Sequence, residues 1–276
     1  MALNSVNTNV GAQIALQSLQ VTNKELATVQ NRINTGKNVS SAKDNGAIFA
    51  IATNQRAEIG ALNAVKDSLN RGQSAVDVSL AAGESVSDLL SQLKEKALAA
   101  TDTSLTTSAR SALNEDFTSI RNQISTVVGN ASFNGVNLLN GSQTTGFLAL
   151  ANTAGATITV NDENLSLSGS IVTLTATSSI NTASDATASL ALVNASIDNV
   201  AASLARLGTG SKSFETHLTF VGKLQDSLEA GVGNLVDADL AKESARLQSL
   251  QTKQQLGVQA LSIANSSTSI LLGLFR

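Results

Sequence analysis

The chain has 276 residues, with 18 Lys and Arg against 21 Asp and Glu, and a formal charge of −3 at pH 7; such a length suits about two domains. Only 14% of residues are charged, with no basic footprint, so no nucleic-acid partner is expected. At 42% hydrophobic residues, with no Cys, no Pro, no Trp, no Tyr and one His (His217), the chain is not a core-less disordered one; disulfide staples, thiolate metal sites and multi-His zinc sites are excluded too.

In chain order, Met1 to Asn9 has neither a basic nor an apolar signal region, so no cleaved secretory leader is expected. No run approaches about 18 uninterrupted apolar residues, so no membrane insertion is expected, and by these rules alone the protein reads as soluble and intracellular. The first helix carries Leu19, Leu26 and Ile33 at intervals of seven, with Val29 between them, and Gly36 marks a junction. A second helix follows. Leu62, Val65, Leu69, Gly72, Val76, Ser79, Gly83, Val86, Leu90, Leu93, Ala97 and Ala100 alternate steps of three and four, the pattern of a coiled-coil seam. A third seam runs Leu113, Phe117, Ile120, Ile124, Val127, Ala131.

Phe133-Asn134-Gly135-Val136 then gives a hairpin signal, since Asn-Gly supplies the two positive φ angles of a tight turn. From Arg121 to Arg206 no basic residue occurs, and residues 134–182 are rich in Gly, Ser, Thr and Asn. Alternation at period two predicts short strands at Thr157–Val160, Leu165–Leu167 and part of Val172–Thr175. A long helix follows with a seam through Ala186, Leu190, Val193, Ile197, Val200, Leu204, Leu207, Ser211, Phe214, Leu218, Val221, Gln225 and Leu228. Gly231 and Gly233 predict the next junction. The last helix repeats Leu256, Ile263 and Ile270, with Leu240, Leu247, Leu250 and Leu261 widening the stripe and Leu271 and Phe275 near its end.

The inner seams can cover one another; the terminal ones lack partners. Burying one Leu or Ile contributes roughly 1.5–3 kcal/mol, so about seven left in water forgo on the order of 10 kcal/mol. Another copy of the chain is the simplest partner. No enzymatic constellation competes. Gly208-Thr-Gly-Ser-Lys-Ser213 lacks the P-loop spacing and interrupts a helical seam. His217 has no nucleophile-elbow signature near it. Asp237, Asp239 and Glu243 lack the further ligands of a calcium loop and suit a helix N-terminus. Asn-x-Ser matches such as those at Asn130, Asn164, Asn194 and Asn265 are expected by chance in so Asn- and Ser-rich a chain. No catalytic residue, cofactor or metal is expected.

Five segments resemble bacterial flagellins: Met1-Ala-Leu-Asn-Ser-Val-Asn-Thr-Asn9, Arg32-Ile-Asn-Thr-Gly-Lys-Asn-Val-Ser-Ser-Ala-Lys-Asp44, Phe133-Asn-Gly-Val-Asn-Leu-Leu139, Val236-Asp-Ala-Asp-Leu-Ala-Lys-Glu-Ser-Ala245, and the tail from Gln259 to Arg276. The resemblance implies a mainly α fold: long antiparallel coiled-coil helices from both chain ends in a hairpin-shaped subunit, a β-hairpin, and a small β-rich central outer segment. It divides the chain into an N-terminal filament-core helix (1–36), inner helical layers (37–140 and 183–230), a variable outer segment (141–182) and a C-terminal filament-core helix (231–276). It implies a secreted, extracellular homopolymer that is exported unfolded by the flagellar apparatus with an export chaperone. Polymerisation follows at the tip beside cap and hook–filament junction proteins; a junction protein is the alternative function. Assembly contacts are expected at Leu19, Leu26, Val29, Ile33, Leu256, Ile263, Ile270, Leu271 and Phe275, and an inner seam at Leu90, Leu93, Phe117, Ile120, Ile197, Leu204 and Leu218. At the positions that some flagellins use to contact a vertebrate Toll-like receptor, this chain has Gln92, Lys96 and Asp116. Two of those three differ in kind, which implies weak or absent receptor activation. Some flagellins carry O-linked acidic sugars on the outer face, which implies modification within residues 141–182.

Overall fold

The computed structural model describes residues 8–273, with side chains through residue 266. Its elements run α1 (Val10–Thr35), α2 (Gly46–Ala100), α3 (Thr107–Asn130), β1 (Phe147–Leu150), β2 (Thr157–Val160), α4 (Ala183–Val236) and α5 (Leu240–Gly273). Helices as long as α2 (55 residues) and α4 (54 residues) are possible because no proline interrupts them. Each start is capped by a short polar side chain. Asn9, Asn45, Thr106, Thr182 and Asp239 all accept hydrogen bonds from first-turn backbone N–H groups. Gly36 ends α1 at φ 68°, a left-handed cap that glycine adopts without steric cost.

The chain forms two compact units: Met1–Ala57 with Ser227–Arg276, and Glu58–Asp226. In the first unit α1 and α5 run antiparallel. On α1 a covered series runs 12, 15, 19, 22, 26, 29 and 33, flanked by the half-buried Glu25 and Arg32; on α5 the covered positions are 243, 247, 250, 254, 257, 261 and 264. Both series alternate steps of three and four, as a two-helix coiled coil requires. The loop after α1 is joined to the α4–α5 break by a bridge between Lys37 and Asp237, with Ala238 N–H donating to the Gly36 carbonyl at 2.9 Å.

In the second unit all twelve seam positions of α2 from Leu62 to Ala100 are buried. On α4 one heptad column, Val193, Val200, Leu207, Phe214 and Val221, is buried as expected. The companion column differs from expectation. Leu190, Ile197, Leu204, Ser211 and Leu218 are only half-buried, while Ser189, Ser196 and Ser203 are buried. Small residues let backbones approach closely, and hydropathy alone does not mark them as core. Contacts fix the α2/α4 register: Leu204 lies where a Cβ on Gly83 would meet it at 2.6 Å, and Phe214 and Phe147 crowd Gly72 in the same way. Phe147 and Phe214 also meet edge to face at 6.3 Å. By length and composition α4 could cross a bilayer, with a window of mean hydropathy 1.2; its buried valine and leucine column belongs instead to this core.

The Asn-Gly hairpin forms as expected, with Phe133 bridged to Val136, Asn134 at φ 49° and Gly135 at φ 80°. Of the expected strands only 157–160 is one; it pairs antiparallel with β1, which sequence alternation did not mark, in the register Phe147↔Val160 to Leu150↔Thr157. Residues 165–167 and 172–175 are irregular. Their backbone makes isolated bonds rather than a ladder: Leu165 N–H donates to the Leu139 carbonyl at 2.8 Å, Ser168 N–H to the Leu174 carbonyl at 2.8 Å, and Thr173 N–H to Ser196 Oγ at 3.1 Å. The expected junction at Gly231 and Gly233 also moves, because α4 continues to Val236 and breaks at Asp237–Asp239.

Candidate assembly surface

The inner-seam residues divide by burial. Leu90, Leu93 and Phe117 are wholly buried, whereas Ile120, Ile197, Leu204 and Leu218 are half-buried flanking positions. Gln92 and Asp116 are exposed, and Lys96 donates to Asp116 Oδ2 at 2.8 Å. That hydrogen bond raises the Lys96 ammonium above its ordinary value. The pair is well solvated and contributes little to stability.

The terminal positions separate more sharply. Val29 is buried, and Leu19, Leu26 and Ile33 are half-buried on the side of α1 that faces α5; Leu19 packs over Gly257, where an added Cβ would lie 3.3 Å from its Cδ1. Leu256 and Ile263 do not join that seam: they stay 60% and 70% exposed. Each sits one residue ahead of a small seam residue, Gly257 and Ala264. The α5 seam is carried by Glu243, Leu247, Leu250 and Leu261 with those small residues. The Ile270 and Leu271 side chains and all of Phe275 lie outside the described residues.

Further exposed apolar residues, which the seven-residue count had not singled out, lie on the same helix pair: Val10, Ile14, Leu16 and Val21 on α1, and Val258 on α5. Their signal was available as large apolar residues one or two steps off the heptad. Seven residues, each about half exposed, retain on the order of 5–10 kcal/mol of burial not realised in the single chain. Exposed apolar area of this extent, on two paired helices, marks an interaction surface.

Polar groups in this unit fasten the helices together. Arg32 Nη1 donates to Glu243 Oε1 at 3.2 Å, Gln254 Nε2 to Asn23 Oδ1 at 2.7 Å, and Asn9 Nδ2 to the Ala264 carbonyl at 2.7 Å. Asp239, weighed above as a metal ligand, caps α5. Among the described residues no three His, Asp or Glu side chains converge where a metal could sit. His217 is engaged, its Nε2 lying 2.6 Å from the Ala151 carbonyl and its ring 5.7 Å from Phe220. Gly208 to Ser213 is continuous α-helix, with no phosphate-binding loop.

A coiled-coil chain whose paired end helices keep an apolar face uncovered has the character of an interaction module rather than of an enzyme with a convergent site. Comparison with known proteins gives the family. Residues 6–144 match the bacterial flagellin N-terminal helical region, and residues 190–275 match the bacterial flagellin C-terminal helical region. Flagellin FljK of Caulobacter vibrioides is 61% identical over 276 residues, covering both chains completely. A flagellin of Brucella melitensis is 38% identical over 285 residues, with 99% of each chain covered. The fold is shared with a solved structure described as a flagellar hook-associated protein from Vibrio parahaemolyticus, at TM-score 0.55 and 16% identity, covering 70% of this chain and all of that one. The chain belongs to the bacterial flagellins, structural subunits of the helical flagellar filament, and is not an enzyme.

Proposed function

We propose that this flagellin is exported unfolded, reaches the growing filament tip beneath a cap protein, and joins the lattice as neighbouring copies cover the apolar face of its paired α1 and α5 helices. The observation that carries this reading is the exposure of Ile14, Leu256 and Ile263 on a helix pair whose own seam is already closed. Export by the flagellar apparatus with a chaperone, and placement outside the cell as filament, suit a chain with no proline isomerisation to delay refolding and no thiol to mispair. The domain division at 1–36, 37–140, 141–182, 183–230 and 231–276 belongs to this proposal, with the first and last segments forming the filament core. A junction-protein role draws only on the fold shared with the hook-associated protein, whereas the full-length relatives at high identity are flagellins.

Incubating the purified protein with short filament seeds and viewing it by negative stain tests the reading. Long continuations of the seed are expected; a single terminal layer would move the chain to the junction role. Little or no activation of the flagellin-sensing Toll-like receptor is expected, because Gln92 supplies no cation and Lys96 and Asp116 engage each other. A cell reporter response as strong as that of an activating flagellin would overturn this.

A further inference from the structure

The two strands of the small sheet have unlike outer edges. Ala151 N–H donates to the Ala156 carbonyl, so in this register the main-chain groups of Leu148 and Leu150 turn away from β2. On that side the edge meets α2, where Ser68 Oγ accepts from the Leu150 N–H at 3.0 Å. Across the pair, Thr157 and Thr159 turn away from β1, and among the described residues their N–H and C=O groups have no protein partner. Native sheets protect an edge with a charge, a proline, a bulge or a cover. Thr157-Ile158-Thr159-Val160 has neither charge nor proline, and its four β-branched residues hold it extended.

The space beside this edge is open. A groove of about 700 Å³ lies between Ile158 and the α4 face that carries Ala205, Lys212 and Phe220, and a second of about 380 Å³ lies between residues 159–161 and Arg206. Both are lined by Ala205 and Thr209, so they make one trough. From Arg206 to Phe220 the helix rises about 21 Å, the length of a strand of about six residues. Phe220 lies 56% exposed at one end. Glu163 neutralises Arg206 through two hydrogen bonds, at 2.6 and 2.5 Å, and His217 Nε2 lies against the Ala151 carbonyl. Lys212, midway along, makes no ion pair among the described residues.

A second copy paired antiparallel through its own β2 does not fit this trough. Each copy carries α4 beneath β2, with Val160 seated on Gly210. Strands about 4.8 Å apart would force together helices that need about 8–10 Å. A peptide strand brings no helix with it.

We propose that the outer edge of β2 is a docking site for an extended peptide segment of a foreign protein. The segment adds as a third strand, its main chain bonding to Thr157 and Thr159. Its inward apolar side chains rest on α4 beside Ile158 and Phe220, and a carboxylate midway along it meets Lys212. Main-chain bonds supply the affinity, and the side-chain hollows select the sequence.

The test uses the full-length monomer and a labelled octapeptide of alternating Thr and Val with one central Glu. Saturable binding by fluorescence anisotropy is expected. Amide exchange at Thr157 and Thr159 should slow at least tenfold on saturation, while that of Leu150, already bonded to Ser68, stays unchanged. Lys212→Glu should weaken binding at least tenfold, and Lys94→Glu, at an exposed position of α2 outside the trough, should stay within twofold. Circular dichroism of both variants should match the native spectrum. N-methylation of the peptide amides that face β2 should abolish binding, and the same change at the alternate amides should cost less than threefold. Absence of saturable binding at millimolar peptide, equal loss with both methylation patterns, or unaltered exchange at Thr157 and Thr159 overturns the proposal. A dimer of the native protein that dissociates on Lys212→Glu would also overturn it, by assigning the edge to a second copy.

Discussion

Ile263 is the residue at which the exposed surface can be tested most cleanly. It is 70% exposed in the single chain and makes no side-chain contribution to the α1/α5 seam, which passes through Ala264. Full burial of an isoleucine is worth roughly 1.5–3 kcal/mol, so covering the exposed part on assembly should contribute about 1–2 kcal/mol per subunit. Ile263→Ala removes most of that. With 1.4 kcal/mol corresponding to a factor of ten, the critical concentration for seeded elongation should rise about 5- to 30-fold. Ile263→Asp adds the cost of desolvating an unpaired carboxylate, several kcal/mol, and should abolish filaments at any practical concentration. Neither change should shift the monomer's thermal unfolding by more than about 0.5 kcal/mol, the usual range for exposed sites. Sedimentation of seeded mixtures gives the critical concentration, and calorimetry of the monomer gives the control. A critical concentration for Ile263→Ala within twofold of native would refute the reasoning, as would monomer destabilisation comparable to the assembly loss.

Gly72→Ala should destabilise the unit formed by residues 58–226 by about 1–3 kcal/mol in urea titrations, because the new methyl meets the Phe147 and Phe214 rings at 2.8 and 2.9 Å. Asp44 Oδ2 accepts from the Ser40 and Ser41 side chains and backbone N–H groups, and these bonds, led by the Ser40 hydroxyl, lower its carboxyl below the ordinary 3.8. Its contribution is therefore present above about pH 4 and lost as pH falls through the lowered folded value. Amide exchange at Ser40 and Ser41, corrected for intrinsic rate, should show progressively less protection below pH 4, and Asp44→Asn should remove that pH dependence. Modification of exposed Ser and Thr in residues 141–182 should appear as excess intact mass on protein sheared from native filaments; a mass equal to that of the sequence would count against it.

Heptad spacing made the long helices readable, because a stripe of period 3.5 that runs the length of α2 has no other stable home. All twelve residues it selects there are buried. It succeeded less well where the seam is made of small residues. Ser189, Ser196 and Ser203 are core, but hydropathy assigns that role to the larger Leu190, Ile197 and Leu204 beside them. The C-terminal helix shows the same displacement, from Gly257 to Leu256 and from Ala264 to Ile263. Segments 165–167 and 172–175 alternate like strands yet bond elsewhere, Leu165 to the Leu139 carbonyl and Thr173 to Ser196 of α4, a tertiary choice that local pattern does not encode. The α4–α5 break falls at Asp237–Asp239, where the Lys37 bridge and the Asp239 cap meet, rather than at the nearby glycines. Glycine permits a break without requiring one.

The one-residue displacement on α5 bears on how such a subunit avoids spending its stickiest surface on itself. A 3.6-residue turn sets adjacent residues about 100° apart around the helix, so Leu256 and Gly257, or Ile263 and Ala264, cannot both point at α1. Giving the small member of each pair to α1 lets the two helices of one chain close with modest buried area. The large member is then left facing out, available to a neighbour. Exchanging the order, so that the large residues faced α1, would build a tighter hairpin and a blander exterior. On the proposed assembly, monomer stability and polymer stability would be set by different residues on the same helix. A substitution such as Leu250→Ala, at a 5% exposed seam position, should loosen the α1/α5 pair before it touches the contact between copies, whereas Ile263→Ala should do the reverse.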